Sequence, residues 1–495
     1  MKLILNGDVS RYYVQNLCLI FFPGSKFAED EMLTDDTPVL TLTEEEKEDG
    51  VSSFASVRVG EQCAEESAFE KYKDKFTKDR IKNISVGKAV FSACVKLFGY
   101  TPAWGILTGI RPSKISRQLL ADGNDEAQVR RILRNEYFLN PKKAALLTGI
   151  SAREAKVIDE IGENTCSLYI SIPFCPTRCA YCSFVSFATK RLLSMIPEYL
   201  ERLLRDIDAV FDIIKENGLT LTTVYIGGGT PTTLSESELE RLLSRIEKHI
   251  DPASLREYSI EAGRPDTITG EKLKIIKSHG VTRISINPQT LNDAVLQGIG
   301  RCHTVEDFYR AFDLAKSSGI EHINTDLIAG LPGDTYRSFS KTVDKIIALG
   351  PDNVTVHTFS VKKAADIVHT GFDVYQPNAG DAQKSVAYSQ LKLRNFGYLP
   401  YYIYRQRNTV GNLENVGYAL PGCEGLYNMY IMEELHHIFA VGAGAVTKLV
   451  DRDKPKIERI FMPKYPYEYL SEKNEIFFNG EYRQKIHDFI QEMKK

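Results

Sequence analysis

Long apolar runs are absent from this sequence. No stretch approaches the ~18–20 consecutive apolar residues that span a bilayer. The apolar opening Met1-Lys-Leu-Ile-Leu5 is broken by Asn6-Gly-Asp8 before it reaches signal-peptide length. The chain is therefore expected in the cytoplasm, without membrane insertion. A strong charge of one sign is absent too. The net charge is −3 over 495 residues, which leaves no basic face for nucleic acid. Tryptophan occurs once, at Trp104. The nine cysteines lack the regular pairing of a disulfide framework, which fits a reducing compartment. The remaining composition is that of ordinary buried cores, and the length allows about three domains.

What the sequence does contain is three cysteines within eight residues, in Ser167-Leu-Tyr-Ile-Ser-Ile-Pro-Phe-Cys175-Pro-Thr-Arg-Cys179-Ala-Tyr181-Cys182. A β-branched run leads into a Cys-x3-Cys-x2-Cys loop. Thiolates this close together favour a soft metal or an iron–sulfur cluster. A cubane cluster usually takes four cysteines, so three leave one iron open, and an open position lets a metal centre act on a substrate. A zinc site completed by Cys302 or His303 is the alternative.

Beyond this loop the pattern alternates strand with helix. Strands are expected at 168–172, 223–226, 258–260, 283–286, 323–328 and 353–358. Helices are expected at 196–217, 237–249, 271–279, 305–318 and 336–349, with Gly218, Gly280 and Gly319 as C-terminal caps. Such alternation implies an α/β fold with a parallel sheet, here an incomplete barrel of six units, whose chemistry sits at the C-terminal strand ends. The unusual residues lie there: the cysteine loop, Gly227-Gly-Gly-Thr-Pro-Thr232, Glu261, Asn287-Pro-Gln289, and Asp326 before Gly330-Leu-Pro-Gly333. Consecutive glycines let a ligand approach the backbone. Without a Gly-Lys-Ser/Thr ending they do not form a phosphate loop. Asp326 can accept from ribose hydroxyls, Arg301 can grip a carboxylate and Tyr181 can stack on adenine. A tight turn at the glycines, and structural hydrogen bonds for Glu261, Gln289 and Arg301, are the plainer alternatives.

The flanking regions read less sharply. Residues 1–80 read as β-rich, with strands at 14–22, 37–43 and 53–59 and the acidic run Glu44–Asp49 as a solvated loop. Residues 81–162 read as helical. Trp104–Lys114 reads as packing, with an anion-binding turn or a docking surface as alternatives. Three segments follow: an N-terminal α+β extension (1–162), the barrel (163–360) and a C-terminal α+β substrate-covering region (361–495). Tyr398–Arg407 is either a seat for a flat, carboxylate-bearing macrocycle or an aromatic strand with a charged edge.

The cysteine spacing resembles that of the radical S-adenosylmethionine (SAM) superfamily. The wider set, Tyr169–Cys182, Gly227–Thr232, Ser259–Glu261, Arg283–Gln289, Ile299–Arg301 and Asp326–Gly333, resembles the oxygen-independent coproporphyrinogen III oxidase family. Thr108-Gly-Ile-Arg-Pro112 and the N-terminal extension resemble its HemZ-like branch. The resemblance implies a [4Fe–4S] cluster on Cys175, Cys179 and Cys182, with SAM on the fourth iron. It implies that Tyr169, Tyr181, Gly228, Gly229, Thr230, Glu261, Gln289, Arg301, Asp326 and Ser360 surround the SAM. It further implies a tetrapyrrole substrate, a reducing donor such as a flavodoxin or ferredoxin, and a role in porphyrin and haem biosynthesis. The implied reaction removes a hydrogen from each propionate β-carbon, then CO2 and one electron, leaving the vinyl groups of protoporphyrinogen IX. Two features depart from the pattern. Phe184 stands where the well-studied dehydrogenases have a fourth cysteine. The haem-chaperone branch also lacks that cysteine, but Gly411 stands where that branch has a histidine; His436 and His437, read as adjacent helical residues, are the substitutes. A radical enzyme acting on another tetrapyrrole is the remaining reading.

Overall fold

The computed structural model describes residues 1–27, 36–182, 184, 186–360, 379–406, 409–452, 454, 456–477 and 480–493. Two compact units emerge. One comprises Met1–Ala155 with Ile403–Asn408, the other Lys156–Tyr402 with Thr409–Lys495. Among the described residues no helix is long and apolar enough to cross a membrane.

The first unit holds a four-stranded sheet of β1 (Lys2–Asn6), β2 (Val39–Lys47), β3 (Gly50–Val59) and β4 (Gln62–Lys71), in that order. The helix Lys78–Phe98 packs on β3 and β4. Two expectations fail here. Residues 14–22 are not a strand: they lie mainly in the helix Arg11–Phe21. Val14, Leu17, Cys18 and Phe21 are its buried residues, a helical spacing that the apolar run 17–22 conceals. Ser10 caps it by accepting from Tyr13 N at 3.3 Å. The acidic run is not a loop either, because β2 continues to Lys47 before turning into β3. Glu44 is buried and accepts from Asp8 N at 3.0 Å, and Glu46 accepts from Tyr72 at 2.7 Å and Lys78 at 2.9 Å. Trp104 is a packing residue, its ring covered by the Lys143 and Arg405 cations.

The second unit is built on one eleven-stranded sheet. β5 (Thr165–Ile172), β6 (Thr220–Gly228), β7 (Glu257–Glu261), β8 (Arg283–Ser285), β9 (His322–Ala329) and β10 (Asn353–Thr358) run parallel in sequence order, each joined to the next through helix. This is the α/β architecture expected of a partial (β/α)6 barrel. The connecting helices 196–216, 236–247, 270–278, 305–317 and 336–349 fall where the sequence pattern puts them. Gly218, Gly280 and Gly319 follow three of the helical segments at positive φ. Further strands extend both edges. β11 (Leu399–Arg405) and β12 (Glu414–Ala419) continue the sheet beyond β10, with β12 antiparallel to it. On the other side β13 (His437–Val441) runs parallel to β5, followed by antiparallel β14 (Val446–Asp451) and β15 (Lys456–Phe461). Five strands of the described part of 361–495 thus belong to the barrel's own sheet.

Register sorts the side chains into two faces. Ile170, Ile226, Ile260, Ile284 and Ile323 are in register across five strands and buried. Each such side chain withdraws ~1.5–3 kcal/mol worth of apolar surface from water. Because side chains alternate along a strand, the polar set Tyr169, Tyr225, Ser259, Glu261 and Ser285 lies on the other face. At the N-terminal strand ends Arg283 donates to Glu257 at 3.1 Å and to Asn324 at 2.8 Å. Glu257 also accepts from Leu426 N and Tyr427 N, which anchors the start of the helix Leu426–Glu433.

Candidate active site

The loop after β5 is closed by its own backbone: Phe187 N donates to Pro173 O at 2.8 Å and Cys175 N to Phe187 O at 3.1 Å. The glycine turn after β6 is stitched to it, Gly229 N donating to Ile172 O and Thr230 N to Phe174 O, both at 2.8 Å. These bonds bring the backbones so close that a Cβ on Gly229 would lie 2.6 Å from Phe174 O and 3.0 Å from Cys175 Sγ. Gly228 sits at φ +110°, which a side chain disfavours. Thr230 Oγ1 lies 3.3 Å from Cys175 Sγ, so this buried threonine positions a thiol. From the far side Ala180 N donates to Ile299 O at 3.0 Å.

Two arginines brace the same loop. Arg301 is buried, donates to Asn287 O at 2.6 Å and Gly263 O at 3.3 Å, and faces Tyr181 and Cys179. It thereby ties the loops after β7 and β8 to the cysteine loop. The sequence reading passed over Arg264, which follows β7. It donates to Thr177 Oγ1 at 2.9 Å, approaches Cys179 Sγ at 3.9 Å and pairs with Asp266 through two 3.0 Å bonds. An arginine three residues past a glutamate at a strand end was the available signal.

Glu261 accepts from the Tyr225 hydroxyl. Burial pushes its carboxyl up to about 7; Asp326 adds to the rise, and Tyr225 and the Gly228 backbone oppose it. Asp326 lies 3.5 Å from His357 Nε2, and its backbone N donates to Asn287 Oδ1 at 3.1 Å. Gln289 adopts φ 66° and bonds to β9 through its backbone on both sides, to Asp326 O at 3.1 Å and from Ile328 N at 2.9 Å. Ser360 closes β10 in a bridge to Thr409. Tyr169 and Tyr225 stack at 6.1 Å, and Tyr427 stacks on Tyr225 at 4.4 Å. Tyr427 comes from a helix some 200 residues downstream, and nothing local in the sequence points to it.

Of the two readings of Tyr398–Arg407, the described residues support the aromatic strand, Leu399–Arg405. Tyr398, Tyr401, Tyr402 and Arg405 are all buried. Tyr398 donates to Pro351 O, Tyr401 accepts from Asn353, and Arg405 donates to Leu107 O. Arg407 lies outside the described residues. His436 and His437 are not helical neighbours, since His437 opens β13.

Residues 169–346 match the model of the Radical SAM superfamily. The oxygen-independent coproporphyrinogen-III oxidase-like protein HemZ of Bacillus subtilis (strain 168) is 38% identical over 374 residues, 75% of this chain and 75% of that protein. This chain belongs to the oxygen-independent coproporphyrinogen III oxidase-like family of radical SAM proteins. The haem chaperone HemW of the same organism is 38% identical over 197 residues, 40% of this chain and 51% of that protein. The solved structure of coproporphyrinogen III oxidase (HemN) from Escherichia coli overlays at a TM-score of 0.49 with 23% identity, covering 59% of this chain and 66% of that one.

Radical SAM proteins of this family use a [4Fe–4S] cluster and SAM. The residues present fit both. Three thiols share one loop, and burial pushes Cys175 up to about 11 and raises Cys182, so iron must displace their protons. At the same strand ends Gln289 Oε1 and Arg301 Nε are buried polar atoms without a protein hydrogen-bond partner. Such atoms mark a place prepared for a polar ligand.

Proposed function

We propose that this chain is an oxygen-independent coproporphyrinogen III dehydrogenase, converting propionates to vinyl groups to yield protoporphyrinogen IX in haem biosynthesis. Cys175, Cys179 and Cys182 hold the cluster. Tyr169, Tyr181, Gly228, Gly229, Glu261, Gln289, Arg301, Asp326 and Ser360 surround SAM, and Thr230 acts on it through Cys175. When bound, this pair supplies the electron and the hydrogen-abstracting radical. The chain's own residues fix the geometry: the glycine turn and Arg264 set the cysteine loop, and Arg301 locks three strand-end loops together. The tyrosine stack offers a flat wall suited to a tetrapyrrole.

The observation that carries the enzyme reading over a haem carrier is the state of the histidines. His436 has both ring nitrogens engaged, with Ser167 Oγ at 2.7 Å and Thr165 Oγ1 at 3.0 Å, and is buried. His437 Nδ1 accepts from Val450 N at 3.1 Å inside the sheet. Gly411, at φ 65°, has no side chain to offer iron. Neither histidine offers an axial ligand without breaking a buried bond. The second reading, a haem chaperone, is favoured by the 38% identity to HemW and by Phe184 at the fourth-cysteine position. A third would place another tetrapyrrole in the same site.

Anaerobic incubation of the cluster-loaded chain with SAM, reductant and coproporphyrinogen III separates these readings by mass spectrometry. Loss of two CO2 per molecule is expected. Tight haem binding with a shifted Soret band, and every propionate intact, would overturn the dehydrogenase reading.

A further inference from the structure

The opposite, N-terminal end of the parallel sheet carries a cluster that the cysteine-loop chemistry does not use. His322 opens β9, Asp352 immediately precedes β10, and Cys423 lies in the turn between β12 and the helix Leu426–Glu433. One ligand atom from each lies within 4.8 Å of those of the other two. Cys423 Sγ is 3.9 Å from Asp352 Oδ1.

Backbone bonds hold all three in place. His322 N donates to Thr282 O at 3.0 Å, Asp352 N to Ile323 O at 3.0 Å, Leu420 N to Asp352 O at 3.0 Å and Cys423 N to Leu420 O at 3.0 Å. Asp352 Oδ2 accepts from Ile323 N at 2.8 Å, which accounts for the aspartate as a structural residue. Nothing similar accounts for the imidazole: His322 Nδ1 is buried without a partner. Arg283 faces the cluster, but Glu257 pairs with it at 3.1 Å, and Glu321 and Glu424 stand close by. Four carboxylates, Asp352, Glu257, Glu321 and Glu424, thus stand around that one arginine.

An imidazole, a carboxylate and a thiol form the donor set of zinc-class ions. We propose that His322, Asp352 and Cys423 bind one zinc-class divalent ion, with water as fourth ligand. Tetrahedral bonds of ~2.0–2.3 Å place ligand atoms about 3.3–3.7 Å apart, so the present spacing closes by about an ångström of side-chain rotation. The ion pins the starts of β9 and β10 to the turn that leads into the helix carrying Tyr427. It thereby fixes one wall of the tyrosine stack from the far end of the sheet. This site is independent of the proposed decarboxylation.

The test uses the full-length, cluster-loaded chain. After incubation with zinc sulfate and desalting, metal analysis should find about one zinc per chain besides the iron. Cys423→Ser and His322→Gln should each retain less than about a tenth of that zinc, with iron content unchanged. Simultaneous Cys175→Ala, Cys179→Ala and Cys182→Ala should abolish iron and leave the single zinc. Cobalt(II) added to the wild-type chain should give a thiolate-to-metal charge-transfer band, lost in Cys423→Ser. Equal zinc in wild type, Cys423→Ser and His322→Gln would overturn the site. So would a wild-type chain that retains no zinc, or cobalt bound without a thiolate band.

Discussion

A single methyl group at Gly229 should dislodge Cys175 while leaving the sheet folded. In Gly229→Ala the new Cβ would meet Phe174 O at 2.6 Å and Cys175 Sγ at 3.0 Å. A carbon and a carbonyl oxygen need more than 3 Å, so about half an ångström must be absorbed. The cheapest way is to part the glycine turn from the cysteine loop, which loses the bonds from Gly229 N to Ile172 O and from Thr230 N to Phe174 O. Those cost about 1 kcal/mol each, and overpacking a fixed backbone costs about 1–3 kcal/mol. A total of roughly 3–5 kcal/mol lowers the melting temperature by about 5–15 °C in a domain of this size, without unfolding it at 25 °C. The larger effect is local, because the displaced Cys175 no longer converges with Cys179 and Cys182. After anaerobic reconstitution, iron should fall from about four per chain to about one or fewer. Gly270→Ala is the control, since a Cβ there meets nothing within 4 Å. Full iron loading and unchanged SAM affinity in Gly229→Ala would refute the account of how the loop is positioned.

Other outcomes follow from the same geometry. Asp326→Asn should weaken SAM binding roughly 10- to 100-fold by calorimetry with iron content intact, as expected for one charge-assisted hydrogen bond. Arg301→Ala should lose SAM affinity and iron together, because its guanidinium also holds Asn287 O, Gly263 O and the Cys179 side of the loop. Glu261 gives a pH signature. Its folded pKa of about 7 exceeds its ordinary value of 4.5, so between these values the folded chain keeps a proton that the unfolded chain has lost. Stability of the SAM-free chain should therefore fall as pH rises through that window, by up to about 3 kcal/mol, and level off above it. Urea midpoints should show the slope, and Glu261→Gln should flatten it; an identical slope in the variant would contradict the assignment. A chain beginning at Lys156, where the second compact unit starts, should still load the cluster, and absence of iron in that folded fragment would tie the first unit to the site.

The barrel was legible because its signals are local. β5 to β10 are short β-branched runs, each followed by an amphipathic helix, and glycines mark several helix ends. The strand-end motifs could be read for the same reason: glycine triplets and cysteine spacings survive as strings. What escaped depends on distant pairing. β13 joins β5 across some 270 residues, and no local periodicity announces such a partner. The run at residues 14–22 is apolar except for Gln15 and Asn16 and fits both periods, so only packing decides it. Tyr398–Arg407 stayed open between a ligand seat and an aromatic strand because aromatics and arginines suit both. The burial of Tyr398, Tyr401, Tyr402 and Arg405 favours the strand. That Arg301 could grip a carboxylate was legible from its residue type; that it also bonds two backbone carbonyls, Asn287 O and Gly263 O, depends on the fold.

The central claim is that one strand-end rim couples SAM cleavage to loss of CO2 from a tetrapyrrole. The most direct measurement counts 5′-deoxyadenosine and CO2 in the same anaerobic reaction, with wild type and with Cys179→Ala. The account predicts that both products appear only with coproporphyrinogen III present, rise in a fixed ratio, and vanish together in the variant. Steady 5′-deoxyadenosine formation that ignores coproporphyrinogen III and releases no CO2 would contradict it.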